Sequence, residues 1–113
     1  MRRYRVVVRS GPKVEREKLD SLDAALALLE QRARNLSEDA DATTVNALTR
    51  KFEPIQQVVG RVELSGPRGL RAGVDVRGDG SVESYTGRLM RKLVEQRDGE
   101  SPYEALRRQL LAT

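Results

Sequence analysis

What this chain offers to chemistry is twenty-one Lys and Arg side chains, seventeen carboxylates and three tyrosines, with no histidine and no cysteine. Without imidazole or thiol there is no disulfide, zinc centre of the usual kind, haem ligation, thiolate nucleophile or imidazole acid–base catalysis, and a Ser-His-Asp site is impossible. Catalysis would have to run on carboxylates, Lys, Tyr and Arg, and no constellation of these stands at a diagnostic spacing. The chain is therefore expected not to be an enzyme, with no catalytic, cofactor-binding or metal-ligating residue.

The spacings nearest to known chemistry each fail on a residue. In "GVDVRGDGSVESYTG", Gly73 to Gly87, the tripeptide Arg77-Gly78-Asp79 matches an extracellular adhesion signal. A bare tripeptide has a high false-positive rate, and nothing else here implies an extracellular context. Asp75, Asp79, Gly80 and Glu83 resemble a calcium loop, but Arg77 stands where an oxygen ligand is required and Thr86 where a bidentate Glu should be. Glu38, Asp39 and Asp41 could collect a hard cation, although an acidic run after a helix is ordinarily a solvated connection. Gly66-Pro67-Arg68-Gly69 lacks the Lys-Ser/Thr of a phosphate loop and reads as a turn.

The arginines remain. Strand alternation places Arg5, Arg9, Arg61, Arg71, Arg77 and Arg88 on the outer face of a sheet, with Arg3 just ahead of the first strand. Such a face could track a phosphate backbone. Glu63 and Asp75 share it, and a turn over Ser65–Gly69 would set Glu63 across from Arg71 as an ion pair. No ladder of exposed aromatics accompanies the arginines, so base stacking is not expected. The net charge of +4 is unevenly spread. Residues 1–13 carry five basic and no acidic groups, residues 14–41 four and eight, and residues 42–113 twelve and nine. Lys occurs only at Lys13, Lys18, Lys51 and Lys92, an Arg skew of the kind a GC-rich genome produces.

The elements that must hold these residues are legible in outline. Tyr4 to Arg9 alternates as a strand, with Tyr4, Val6 and Val8 on one face. After the turn Ser10–Lys13, Val14 to Leu19 returns as a charged edge strand. Ser21 caps a helix whose apolar stripe is Leu22, Ala25, Leu26, Leu29, Ala33 and Leu36. "SEDADA", residues 37–42, is expected to be a loop. Thr43 to Phe52 is expected as a strand broken by Pro54. Ile55 to Ser65 follows with Val58, Val62 and Leu64 inward, then Leu70 to Arg77 with Leu70, Ala72, Val74 and Val76 inward, then Ser81 to about Leu89.

Asp79-Gly80 is a strong hairpin signal. As a two-residue loop it would pair Val76 with Glu83 and Val74 with Tyr85, sending Tyr85 into the core. A three-residue loop would instead set Asp75 against Glu83, an unfavourable like-charge pair. Residues 88–95 fit helix and strand equally. Ser101-Pro102-Tyr103-Glu104 is a capping box opening a terminal helix.

The expected fold is one α+β domain over residues 1–113: a mainly antiparallel meander of about five or six strands, with one long helix and a short C-terminal helix on one face. The amino terminus has no apolar run long enough for a signal peptide or membrane span, so a cytoplasmic bacterial protein that does not engage membranes is expected. Two functions follow: a non-catalytic interaction or assembly module, with a partner protein or a second copy of itself, and a nucleic-acid-binding accessory protein using the Arg-bearing face and the basic amino terminus.

Overall fold

A computed structural model describes residues 2–46, 57–87 and 89–112, with side chains up to Ala40 in the first stretch. Its strands are β1 (Tyr4–Ser10), β2 (Lys13–Leu19), β3 (Val58–Gly66), β4 (Leu70–Arg77), β5 (Val82–Thr86) and β6 (Lys92–Leu93), and its helices are α1 (Leu22–Asn46) and α2 (Pro102–Leu111). The sheet order is β2-β1-β3-β4-β5-β6, with every neighbouring pair antiparallel. β1 and β2 form a hairpin, α1 carries the chain back across β1 to β3, and β3 to β6 run as a meander. This is the expected α+β architecture, with both helices packed on the sheet.

The core follows from the two periodicities. Alternate residues Val6, Val62, Leu64, Ala72, Val74 and Val76 are buried on one sheet face, against Ala25, Leu26, Leu29 and Ala33 of α1 and Tyr103, Leu106 and Leu110 of α2. Leu36 packs at the edge of this cluster over Gly60, where an added Cβ would meet its methyl at 2.9 Å. The start of α1 is fixed by Ser21, whose Oγ accepts from the Ala24 amide at 3.1 Å, a cap worth about 1 kcal/mol. At α2, Ser101 Oγ accepts from the Glu104 amide at 3.1 Å and Glu104 accepts from the Ser101 amide at 3.0 Å, the full capping box. Arg107 of α2 reaches Asp23 in the first turn of α1 at 2.6 Å.

Several expectations are corrected. α1 does not stop at Leu36 but runs through "SEDADA" to Asn46. The segment is polar, but it contains no Pro or Gly, and Ala40 lies four residues beyond Leu36 on the same stripe and is buried. Packing of the stripe thus overrides local polarity. Thr43 to Asn46 are therefore helical rather than extended; the remainder of that expected strand, with Pro54, lies outside the described residues. β3 begins at Val58, and an irregularity of register between Val58 and Gly60 turns Val58 outward and exposed. β5 ends at Thr86, before Gly87 at φ +94°. Among residues 89–95 the backbone is extended or bent, with β6 as its only regular element, so the helical alternative is not adopted.

The β4–β5 register is the most consequential correction. Val76 pairs with Val82, Asp75 with Glu83, Val74 with Ser84 and Gly73 with Tyr85, which makes Gly78 to Gly80 a three-residue loop. Gly80 donates to the Arg77 carbonyl at 2.9 Å and has φ +86°, while Asp79 is not at positive φ. That is a type I turn closed by a left-handed Gly, not a type I′ turn. The like-charge cost of Asp75 facing Glu83 is offset by two arginines, one of them from a third strand. Arg61 on β3 binds Asp75 at 2.6 Å, and Arg77 binds Glu83 at 2.7 Å. The reward is Val76 against Val82 on the buried face. Tyr85 therefore stands on the outer face, and Ser84 takes the inward position, buried, with its Oγ lacking a hydrogen-bond partner among the described residues.

Candidate interaction face on the open side of the sheet

Both helices lie on the Val6 side, so the opposite face of the sheet is helix-free among the described residues. The pairings sort its side chains into rows across the strands. One row runs Val14, Arg9, Arg61, Asp75, Glu83. The next runs Arg16, Val7, Glu63, Gly73, Tyr85, Leu93. The third runs Lys18, Arg5, Ser65, Arg71, and there Gly87 donates its amide to the Arg71 carbonyl at 2.9 Å.

Charge divides between these rows. Arg9 binds Glu63 at 2.6 Å, Arg61 binds Asp75 and Arg77 binds Glu83, so three of the expected contact arginines are already neutralised. Glu63 is paired with Arg9 and not with Arg71, because the strand beside β3 is β1 and the β3–β4 register sets Ser65, not Glu63, across from Arg71. The hydrogen bond that Arg61 donates to the Asp75 carboxylate strengthens the hold of Arg61 on its proton. The third row contains no carboxylate. Arg5 and Arg71 are exposed and make no ion pair among the described residues, and neither do Lys18 and Arg16 beside them. At the usual spacing between strands, Lys18 to Arg71 spans about 14 Å. Arg3 is exposed just ahead of β1. Arg88 lies outside the described residues.

Tyr85 anchors the middle of this face. It is only 3% exposed although no helix among the described residues covers it. It lies flat across Gly73, where an added Cβ would come within 2.5 Å of the phenol oxygen and 2.7 Å of the Val62 carbonyl. Arg91 covers its ring, with the guanidinium carbon 4.5 Å from the ring centroid, a cation–π contact. Burial pushes the Tyr85 phenol up, partly opposed by the neighbouring Arg91 charge, so the group stays a neutral donor. Arg5, Val7, Glu63, Arg71, Tyr85 and Arg91 line a cavity of about 250 Å³. Sequence reasoning missed Arg91, Lys18 and Arg16. Arg91 sits in the stretch whose conformation was undecided. Lys18 and Arg16 belong to an edge strand, whose outer face follows from the alternation once β2 is paired to β1.

The tripeptide Arg77-Gly78-Asp79 is held within its hairpin. Arg77 binds Glu83, the Gly78 amide donates to the Gln57 carbonyl at 2.8 Å, and Asp79 accepts from the Ser81 hydroxyl at 2.6 Å and amide at 2.9 Å. The Ser81 bonds hold the Asp79 carboxyl below the usual carboxylate range. Glu38 and Asp39 lie within α1, and among the described residues no three acidic, His or Cys side chains gather to hold a metal ion. No helix among them is long and apolar enough to cross a membrane. No protein-family model matches the chain, and no curated protein or solved structure does either.

Proposed function

We propose that this chain is a small non-catalytic binding module that docks an acidic partner protein on the open face of its sheet. The observation that carries the reading is the carboxylate-free row Lys18, Arg5 and Arg71 on a face where Arg9, Arg61 and Arg77 are closed by internal ion pairs. Charges that already have partners gain little from a second one. Unpaired cations grouped on one line do gain, and they also steer encounter with an acidic surface. The absence of histidine and cysteine supports the non-catalytic part. A cysteine-free, arginine-skewed chain fits a bacterial cytoplasm.

Nucleic acid is the second reading, favoured by the same row, since an exposed line of cations also suits a phosphate backbone. Against it, Tyr85 is covered on one side by Gly73 and on the other by Arg91, so it offers no free ring on which to stack a base. The deciding experiment is retention on immobilised polyglutamate, duplex DNA and single-stranded RNA across a salt gradient. It compares the wild type, a Lys18→Ala/Arg5→Ala/Arg71→Ala variant, and a control lacking Arg68, Lys92 and Arg97 elsewhere. Retention on polyglutamate that only the row variant loses is the expected result. Row-dependent retention that is stronger on DNA or RNA would hand the face to nucleic acid. Equal loss in the control would reduce it to net charge, and a mass that doubles by light scattering through the row would make the partner a second copy.

A further inference from the structure

We propose that the cavity bounded by Arg5, Arg71, Arg91 and Tyr85 is a subsite for one phosphate monoester dianion. The inference rests on the open-face reading above and names the acidic group that this part of the face selects. Three arginines from β1, β4 and the segment before β6 are among the described residues that line one cavity of about 250 Å³. The only carboxylate among the described lining residues, Glu63, is engaged by Arg9 at 2.6 Å. The cavity thus carries an excess of positive charge that a single carboxylate or a phosphodiester, each of charge −1, would offset only in part. A monoester near charge −2 offsets most of it, and its three oxygens match the forked donors of several arginines. The Tyr85 hydroxyl makes no hydrogen bond to the described residues and supplies a neutral donor at the same wall. Arg91 is pre-positioned by its contact with the Tyr85 ring, 4.5 Å away, so less side-chain freedom is lost on binding.

The charge argument gives a pH signature. The second ionisation of a phosphate monoester falls near pH 6. The side chains facing the subsite are Arg5, Glu63, Arg71, Tyr85 and Arg91, with Arg9 and Lys18 behind them, and the chain has no His or Cys to titrate between pH 5 and 7.5. Binding should therefore strengthen with pH over that interval because of the ligand alone.

The test is an NMR titration at low salt, following the Gly87 amide, the Arg91 side-chain NH and the Tyr85 ring. The probes are inorganic phosphate, methyl phosphate, dimethyl phosphate and acetate, with a phosphoserine-containing peptide and its unphosphorylated form as the arm for a protein-borne source. Saturable shifts are expected with phosphate and methyl phosphate, weaker by about tenfold in Arg71→Ala and in Arg91→Ala, as for loss of one charge-assisted bond. Binding should also weaken as pH falls from 7.5 to 5. A phosphopeptide that binds more tightly than methyl phosphate, while its unphosphorylated form does not bind, places the group on a protein; equal binding of the two makes it a free phosphate ester. Dimethyl phosphate or acetate binding as tightly, no pH dependence, no saturable shift, or indifference to Arg71→Ala would each overturn the subsite. Loss of the subsite with row-dependent retention on polyglutamate intact would leave the docking reading standing.

Discussion

The placement of Tyr85 can be tested through Gly73→Ala. In a strand, replacing Gly by Ala is ordinarily favourable by about 0.5–1 kcal/mol, because Gly loses more backbone freedom on folding. Here the new methyl would sit 2.5 Å from the Tyr85 hydroxyl oxygen, 2.8 Å from its ring carbon and 2.7 Å from the Val62 carbonyl. All three are well inside van der Waals contact, and the carbonyl belongs to the β3 backbone, which cannot swing away. Overpacking of this kind costs about 1–3 kcal/mol, so the net effect is a loss of about 1–2 kcal/mol, or on the order of 5–10 °C in Tm for a domain of this size. Urea and thermal unfolding followed by circular dichroism would measure it. A Tyr85→Phe background removes the closest atom and should recover part of the loss, leaving the clash with the Val62 carbonyl. The resulting coupling energy should be about 0.5 kcal/mol or more. In the two-residue-loop register Gly73 would face Thr86 and Tyr85 would lie in the core, so the two sites would not couple. A stabilising Gly73→Ala, or strict additivity with Tyr85→Phe, would refute the register and with it the cavity.

Two further predictions follow from the same hairpin. Ser84 Oγ is buried without a partner among the described residues, so Ser84→Ala should be neutral or stabilising by up to about 1 kcal/mol; destabilisation beyond that would mean the hydroxyl is satisfied and the strand turned over. The Ser81 bonds hold the Asp79 carboxyl below its usual range, so Asp79 stabilises the fold fully above the unfolded-state value of about 3.9, and that contribution is lost as pH falls through the lower folded-state value. The stability gap between the wild type and Asp79→Ala should therefore narrow below about pH 4, and an NMR titration placing Asp79 at or above the ordinary aspartate value would contradict the turn.

What was legible in the sequence was what local physics decides. The alternation of β1 and β4, the charged edge of β2, the Ser21 cap and the Ser101 capping box each depend on neighbours within a few residues. What was not legible depended on partners distant in the chain. The end of α1 hangs on Ala40 finding the core. Glu63 takes Arg9 because β1, far away in sequence, lies beside β3. The three-residue loop looked unfavourable because Asp75 and Glu83 were weighed as a pair, whereas Arg61, from a third strand, makes it a triplet. The candidate site inherited the last two. Three of the arginines expected to make contact, Arg9, Arg61 and Arg77, are bound internally, and Arg91 is hidden from a reading that sends its ring partner into the core.

The register and the site are therefore one question. Side chains alternate with period two, so a one-residue slip in β5 exchanges its faces. Tyr85 would leave the open face, Arg91 would lose its ring, and the cavity would lose a wall. The observed register is held by Arg61 and Arg77 neutralising the two carboxylates it brings together, which is why those arginines are not spare for a ligand. The arginines of this face thus fall into two groups with different expected phenotypes. Removing Arg61 leaves Asp75 without its cation beside Glu83, which Arg77 still holds, and should act on stability by about 1 kcal/mol at low salt. Removing Arg5 or Arg71, which are exposed and make no ion pair among the described residues, should leave stability within about 0.5 kcal/mol and act on binding. If Arg61→Ala weakens polyglutamate retention without touching stability, while Arg71→Ala does the reverse, the two groups have been assigned the wrong way round.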